Sequence, residues 1–117
     1  MRIDVNTSLE LMQLSQKQLL FEQLVKQIQK DFVRANVPLH IPLDLGPKPV
    51  TTLLVEKIYF LLMERFSDYL NLLYIIDVPE QDFQHIKMTD TVEVANTVTF
   101  LILKREYQKV WYKKLYE

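Results

Sequence analysis

The sequence predicts an all-α fold: an antiparallel bundle of three long helices, with a proline-rich extended strap at residues 37–50 and a short connecting helix at about residues 78–86. Three observations favour this class. Apolar residues recur at three- and four-residue steps over long stretches, as on amphipathic helices. The 117 residues include a single glycine, and long helices joined by few turns need almost none. Four of the five prolines lie in one stretch, VPLHIPLDLGPKPV.

The first long helix is predicted from Ser8 to Ala35. Thr7 and Glu10 match a capping box, in which the hydroxyl accepts from a first-turn amide and the carboxylate reaches back. Asn36 and Pro38 mark the end, because the residue before a proline is pushed out of the α region. One apolar stripe is formed by Leu14, Phe21, Leu24, Val25, Ile28 and Phe32.

Residues 37–50 are predicted to be a strap that lies on the bundle. In an extended chain successive side chains alternate, so Val37, Leu39, Ile41, Leu43 and Leu45 face the bundle while Pro38, His40, Pro42 and Asp44 face water. An acid–base pair of His40 and Asp44 is an alternative, but four extended residues separate their backbones by about 13 Å. A partner-binding loop is the other alternative, since loops this long are often functional.

The second long helix is predicted from Thr52 to Ile76 and is apolar nearly all round. Its polar residues Lys57, Glu64, Asp68 and Asn71 leave one narrow wet stripe. A helix that is apolar on most sides must be covered on most sides, so we expect it to be the central element. A lone three-helix bundle leaves each helix a solvent face. We therefore predict a homo-oligomer, with a two-fold homodimer as the commonest form, or another protein as the cover.

The last long helix is predicted from Thr91 to Tyr116, after a short helix that begins near Asp77 with Pro79 in its first turn and runs to about Ile86. Asp90 is the expected cap. Residues 91–103 are rich in β-branched side chains, so the pattern leaves open whether they form helix or strand.

Composition excludes several chemistries. The absence of cysteine excludes disulfides, a thiolate nucleophile and a thiolate zinc site, and it suits a reducing cytoplasm. A single glycine excludes phosphate-cradling loops and dinucleotide folds. The net charge of −1 provides no overall field for nucleic acid or an anionic membrane. The most apolar window, residues 53–76, carries several charges, so we expect one soluble cytoplasmic domain over residues 1–117 with no membrane span and no cofactor.

The C-terminal stretch KREYQKVWYKKLYE is the candidate partner-binding segment. Its candidate residues are Lys104, Tyr107, Trp111, Tyr112, Lys113, Lys114 and Tyr116. Aromatic and cationic side chains anchor protein interfaces, and the same mixture suits single-stranded nucleic acid. The ordinary alternative is that the lysines favour the end of the helix dipole while Tyr107 and Trp111 belong to the core.

Catalytic and metal chemistry have weak signals. His85 follows Asp82 by three residues, which matches half of a di-metal ligand set, and Glu64 and Asp68 offer carboxylates one turn apart. The second copies of such a motif are missing, so no metal site is predicted. None of the three serines lies in a glycine-flanked elbow, so no catalytic residue is predicted either.

These patterns together favour a non-catalytic helical assembly or adaptor protein that self-associates through apolar faces of the second and third long helices. The first alternative is a nucleic-acid-binding module that uses the aromatic and basic C-terminal helix. A di-metal helical enzyme using Glu64, Asp68 and His85 is the third.

Overall fold

A computed structural model describes residues 3–117. The described chain is all-helical, with no strand among these residues, as predicted. In order the helices are α1 Ser8–Lys17, α2 Phe21–Arg34, α3 Pro47–Glu64, α4 Phe66–Ile76, α5 Glu80–Phe83 and α6 Thr91–Leu115. None of the helices in this described part is long and apolar enough to cross a membrane.

The central element is α6 and not the second predicted helix. It packs against each of the other five helices of the described chain. The predicted cap is present: Asp90 Oδ1 accepts hydrogen bonds from the backbone amides of Val92 at 3.1 Å and Glu93 at 3.2 Å. Residues 91–103 are therefore helix, and burial of Val94, Val98 and their neighbours outweighs their preference for strands.

The first predicted helix is broken in two at residues 18–20, where Leu19 adopts a left-handed conformation with φ of 59°. The amides of Leu19 and Leu20 donate to the carbonyls of Gln16 at 3.0 Å and Ser15 at 2.8 Å, the Schellman pattern of a helix end. Leu20 is buried by the turn, whereas Leu19 is exposed. The capping box of Thr7 and Glu10 is formed as predicted.

The same turn ends α2 and α4 without glycine. Asn36 and Asp77 have φ values of 62° and 70°, and the following residues, Val37 and Val78, are buried. Val37 donates to Phe32 and Val78 to Leu73, each at 3.0 Å. Burial of the apolar residue after the turn thus offsets the cost of the left-handed conformation, a cost that glycine usually avoids. Because few glycines do not mean few turns, the inference of three uninterrupted helices was wrong.

The second predicted helix is also divided. It begins five residues earlier than predicted, since Gly46 forms the N-cap and Pro47 occupies the first turn, where a proline is tolerated. Arg65, at φ −141° and ψ 57°, leaves helical geometry and separates α3 from α4.

The strap therefore covers residues 37–46 only. Val37 and Ile41 are buried as predicted, and the Ile41 amide donates to Gln29 Oε1 of α2 at 2.8 Å. The alternation fails at Leu43, which is exposed because residues 43–44 form a turn. The connecting helix is also shorter than predicted. It is the single turn α5, none of whose residues is fully buried, and the chain leaves helical geometry in a turn at residues 84–85.

Candidate functional site

A row of exposed apolar side chains follows α3 and α4. We call it the α3–α4 apolar face, and its members are Tyr59, Phe60, Met63, Phe66, Leu70 and Tyr74. Steps of three and four residues place the members within each helix on one side of that helix. Exposed fractions run from 39% at Tyr59 to 81% at Tyr74. Opposite them, Leu54, Ile58, Leu61, Tyr69 and Leu73 are buried in the core.

The apolar face arises because α3 and α4 are apolar on more sides than the fold covers. The prediction that this segment carries excess apolar surface agrees with the exposures, although what covers that surface stays a prediction. Several large apolar side chains exposed on neighbouring turns often mark a binding surface. The face is the first candidate functional site.

Charged residues of both signs border this face. Glu56, Lys57, Glu64 and Arg65 lie on α3 and at its end. Arg65 Nη2 lies 2.6 Å from Asp68 Oδ2 across the α3–α4 junction, and Lys57 Nζ lies 5.7 Å from the centre of the Phe60 ring. The border therefore carries nearly balanced charge and excludes no partner by overall repulsion.

The C-terminal candidate residues do not share one environment. Tyr107 is fully buried, so it belongs to the core and presents nothing to a partner in this fold. Helical spacing from Leu103 and Val110 on the same stripe is the reason. Lys104 and Trp111 are partly buried, whereas Tyr112, Lys113, Lys114 and Tyr116 are exposed. The exposed members keep their partner-binding role as a prediction.

Sequence reasoning missed a buried ion cluster that joins three helices. Asp31 of α2 and Glu106 of α6 are both fully buried, and Lys109 Nζ lies 2.6 Å from Asp31 Oδ2 and 2.7 Å from Glu106 Oε1. Lys109 also donates to the Ile76 carbonyl at the end of α4 at 3.0 Å. Helical spacing could have identified Asp31 as a buried residue, since it lies three residues after Ile28 on the apolar stripe of α2.

The two carboxyl groups of this cluster have opposite protonation preferences. Burial and, to a smaller extent, the contact with Asp31 together raise the pKa of Glu106 to about 9, against the opposing effect of Lys109. Burial also acts to raise the pKa of Asp31, but hydrogen bonds from Glu106, Lys109 and Gln27 outweigh it and lower that pKa. At neutral pH the cluster therefore holds one carboxylate, one neutral carboxyl group and one ammonium ion.

The two carboxyl groups of the cluster are enclosed by the protein. Both carboxyl groups are shielded from solvent, and the lysine ammonium occupies the position between them. Gln27 Nε2 at 3.1 Å and Arg34 Nη1 at 3.2 Å complete the shell around Asp31. With these partners, the buried charge on Asp31 is compensated.

The residues considered for a metal or for acid–base chemistry lie apart. Within residues 3–117, no group of three or more His, Asp or Glu side chains is placed to hold a metal ion. Asp68 pairs with Arg65, and His85 lies beyond α5, where its Nε2 is 3.3 Å from Gln84 Nε2. His40 and Asp44 are both exposed on the strap.

The chain matches no protein-family model, no curated protein and no solved structure.

Proposed function

We propose that this chain is a non-catalytic assembly protein whose copies join through the α3–α4 apolar face. The observation that carries the proposal is the row of six large apolar side chains left exposed on successive turns of two consecutive helices. Removing such surface from water is the main driving force for protein association. We confine the face to α3 and α4, because in the first half of α6 only Val92 among the large apolar residues is exposed.

A second copy is the occupant that we propose for this face, because its border carries charges of both signs. Glu56 and Lys57 lie near the middle of α3, and Glu64 and Arg65 lie at its C-terminal end. A two-fold axis can therefore place acidic residues of one copy beside basic residues of the other, as a self-complementary interface requires. In the absence of cysteine, a reducing cytoplasm is the compartment that we propose.

Sedimentation velocity over a range of protein concentrations tests self-association directly. We expect a species of twice the 14.0 kDa chain mass. The variant Met63→Glu/Tyr74→Glu places two charges on the face at positions that are 55% and 81% exposed, so the fold is preserved while burial against another copy becomes costly. We expect this variant to be monomeric.

The matched control is Val92→Glu/Leu43→Glu. These two positions are 57% and 82% exposed but lie outside the face, so the control adds the same charges at equal exposure. It should sediment like the unmodified chain. An unmodified chain that stays monomeric at its highest soluble concentration overturns self-association. A face variant that still dimerises shows that the copies meet elsewhere.

A further inference from the structure

A cleft between α2 and the end of α6 is lined by four lysines. Lys26 and Lys30 come from α2, and Lys113 and Lys114 come from the last turn of α6. Its volume is about 220 Å³. We call it the lysine cleft. It is separate from the α3–α4 apolar face and from the function proposed for that face.

Most of the positive charge in the lysine cleft is not paired with acidic side chains of the described chain. Within the described chain, Lys30, Lys113 and Lys114 form no ion pair. Lys26 lies 3.3 Å from Glu22, but both side chains are largely exposed, and such pairs contribute little. Among the residues that the structure describes, Glu117 is the one acidic residue that lines the cleft. Several ammonium groups that converge on one depression repel one another, and a bound anion removes that repulsion.

The wall of the cleft is fixed by the buried ion cluster. Gln27 lines the cleft, and its Nε2 donates to Asp31 Oδ2 at 3.1 Å, the same oxygen that Lys109 Nζ contacts at 2.6 Å. A carboxamide carries two N–H groups, so one remains available to a ligand. Leu20 and Val110, both buried, form the floor. The α2 lysines thus project from a helix that is anchored to α6 through its core.

We propose that the lysine cleft binds a small anion that carries two or more phosphate groups. Lysine ammonium groups are common phosphate ligands, and four of them outweigh the partial negative charge at the end of α6. The volume lies just below the roughly 300 Å³ at which pockets for drug-sized ligands begin. Within residues 3–117, no aromatic side chain lines the cleft, so this lining lacks the stacking surface that single-stranded nucleic acid uses.

Titration calorimetry with inorganic tripolyphosphate at low ionic strength tests this proposal. We expect saturable binding at one site per chain that weakens as salt is added, because exposed charges are screened. The variant Lys30→Gln/Lys113→Gln keeps most of each side chain and removes one charge from each wall. Each charged hydrogen bond lost weakens binding by roughly tenfold or more, so we expect a large drop in affinity.

The matched control is Lys48→Gln/Lys87→Gln, which removes two exposed lysines far from the cleft in sequence and outside its lining. Its affinity should remain within about twofold of the unmodified chain, since distant exposed charges are screened. Equal loss in both variants means that tripolyphosphate follows overall charge, and the site does not exist. Absence of saturable binding, or tighter binding of a single-stranded oligonucleotide than of tripolyphosphate, likewise overturns the proposal. The single tryptophan, Trp111, follows Val110 of the cleft floor and provides a fluorescence signal for the same titration.

Discussion

Lys109 and Asp31 are separated by 78 positions in sequence, yet Lys109 Nζ lies 2.6 Å from Asp31 Oδ2 in the interior. The same ammonium reaches Glu106 on its own helix and the last carbonyl of α4. The Lys109 side chain therefore links α2 and α4 to α6, close to the C-terminal ends of α2 and α4. The relative placement of the three helices depends on this cation, since displacing it leaves buried polar groups without partners.

Replacing Lys109 with methionine tests that dependence. Methionine keeps the apolar length of the side chain but leaves the buried Asp31 carboxylate without its nearest cation. Breaking a buried ion pair usually costs 3–5 kcal/mol, and Lys109 is 22% exposed, so we expect the free energy of unfolding to fall by about 2–4 kcal/mol. Urea denaturation followed by circular dichroism measures the change.

The matched control is Lys104→Met, a partly buried lysine on the same helix that forms no ion pair among the described residues. We expect it to change stability by less than about 0.5 kcal/mol. Asp31→Asn combined with Lys109→Met should cost less than the two single changes added together, because the pair is coupled. Strict additivity would show that the two side chains do not stabilise each other.

Glu106 predicts how stability depends on pH. Its pKa is about 9 in the folded chain, against 4.5 for an ordinary glutamate. Because the folded state holds the proton more tightly, the contribution of Glu106 to stability is complete below about pH 4.5 and is lost as the pH rises through about 9. Asp31 acts in the opposite direction: its lowered pKa gives a contribution present above its ordinary value of 3.8 and lost in acid.

Glu106→Gln isolates the Glu106 contribution, since glutamine is nearly the same size and does not titrate. We expect the stability of this variant, relative to the unmodified chain, to increase steadily from pH 5 to pH 9. Denaturation midpoints at several pH values provide the measurement. Glu93→Gln, which changes an exposed glutamate on the same helix, is the control for the loss of a carboxyl group outside the cluster. The same pH dependence in both variants, or a flat difference for Glu106→Gln, would contradict the prediction for Glu106.

Periodicity in the sequence predicted the helical class and the capped start of α6, because apolar spacing and capping residues act locally. The breaks at Leu19 and Arg65 were not predictable in the same way. Leu19 is a good helix former, and it adopts left-handed geometry only because the turn buries Leu20 against the rest of the core. This stabilisation comes from tertiary packing, so the local sequence pattern does not predict the break.

The candidate sites were likewise predictable only where they depend on the local sequence pattern and not on how the helices pack. An excess of apolar residues on the second predicted helix could be recognised in the sequence, and the exposed α3–α4 apolar face agrees with it. The lysine cleft could not be predicted from the sequence, because Lys30 and Lys113 come together only when α2 packs beside the end of α6. Tyr107 was a candidate partner-binding residue, but it is buried, as the alternative based on helical spacing had placed it.

The turn at Leu19 offers a direct test of this tertiary origin. A left-handed conformation costs a residue with a Cβ atom about 1–2 kcal/mol, and glycine avoids most of that cost. Leu19 is 81% exposed, so Leu19→Gly removes little packing while it relieves the strain. Glycine also increases the conformational entropy of the unfolded chain, and this offsets part of the stability gained by relieving the strain. We therefore expect Leu19→Gly to raise the free energy of unfolding by about 0.5–1 kcal/mol, measured by urea denaturation.

Leu19→Ala keeps the Cβ atom and should leave stability nearly unchanged. If glycine destabilises the chain, the residue 18–20 segment is continuous helix in solution and α1 and α2 are one element.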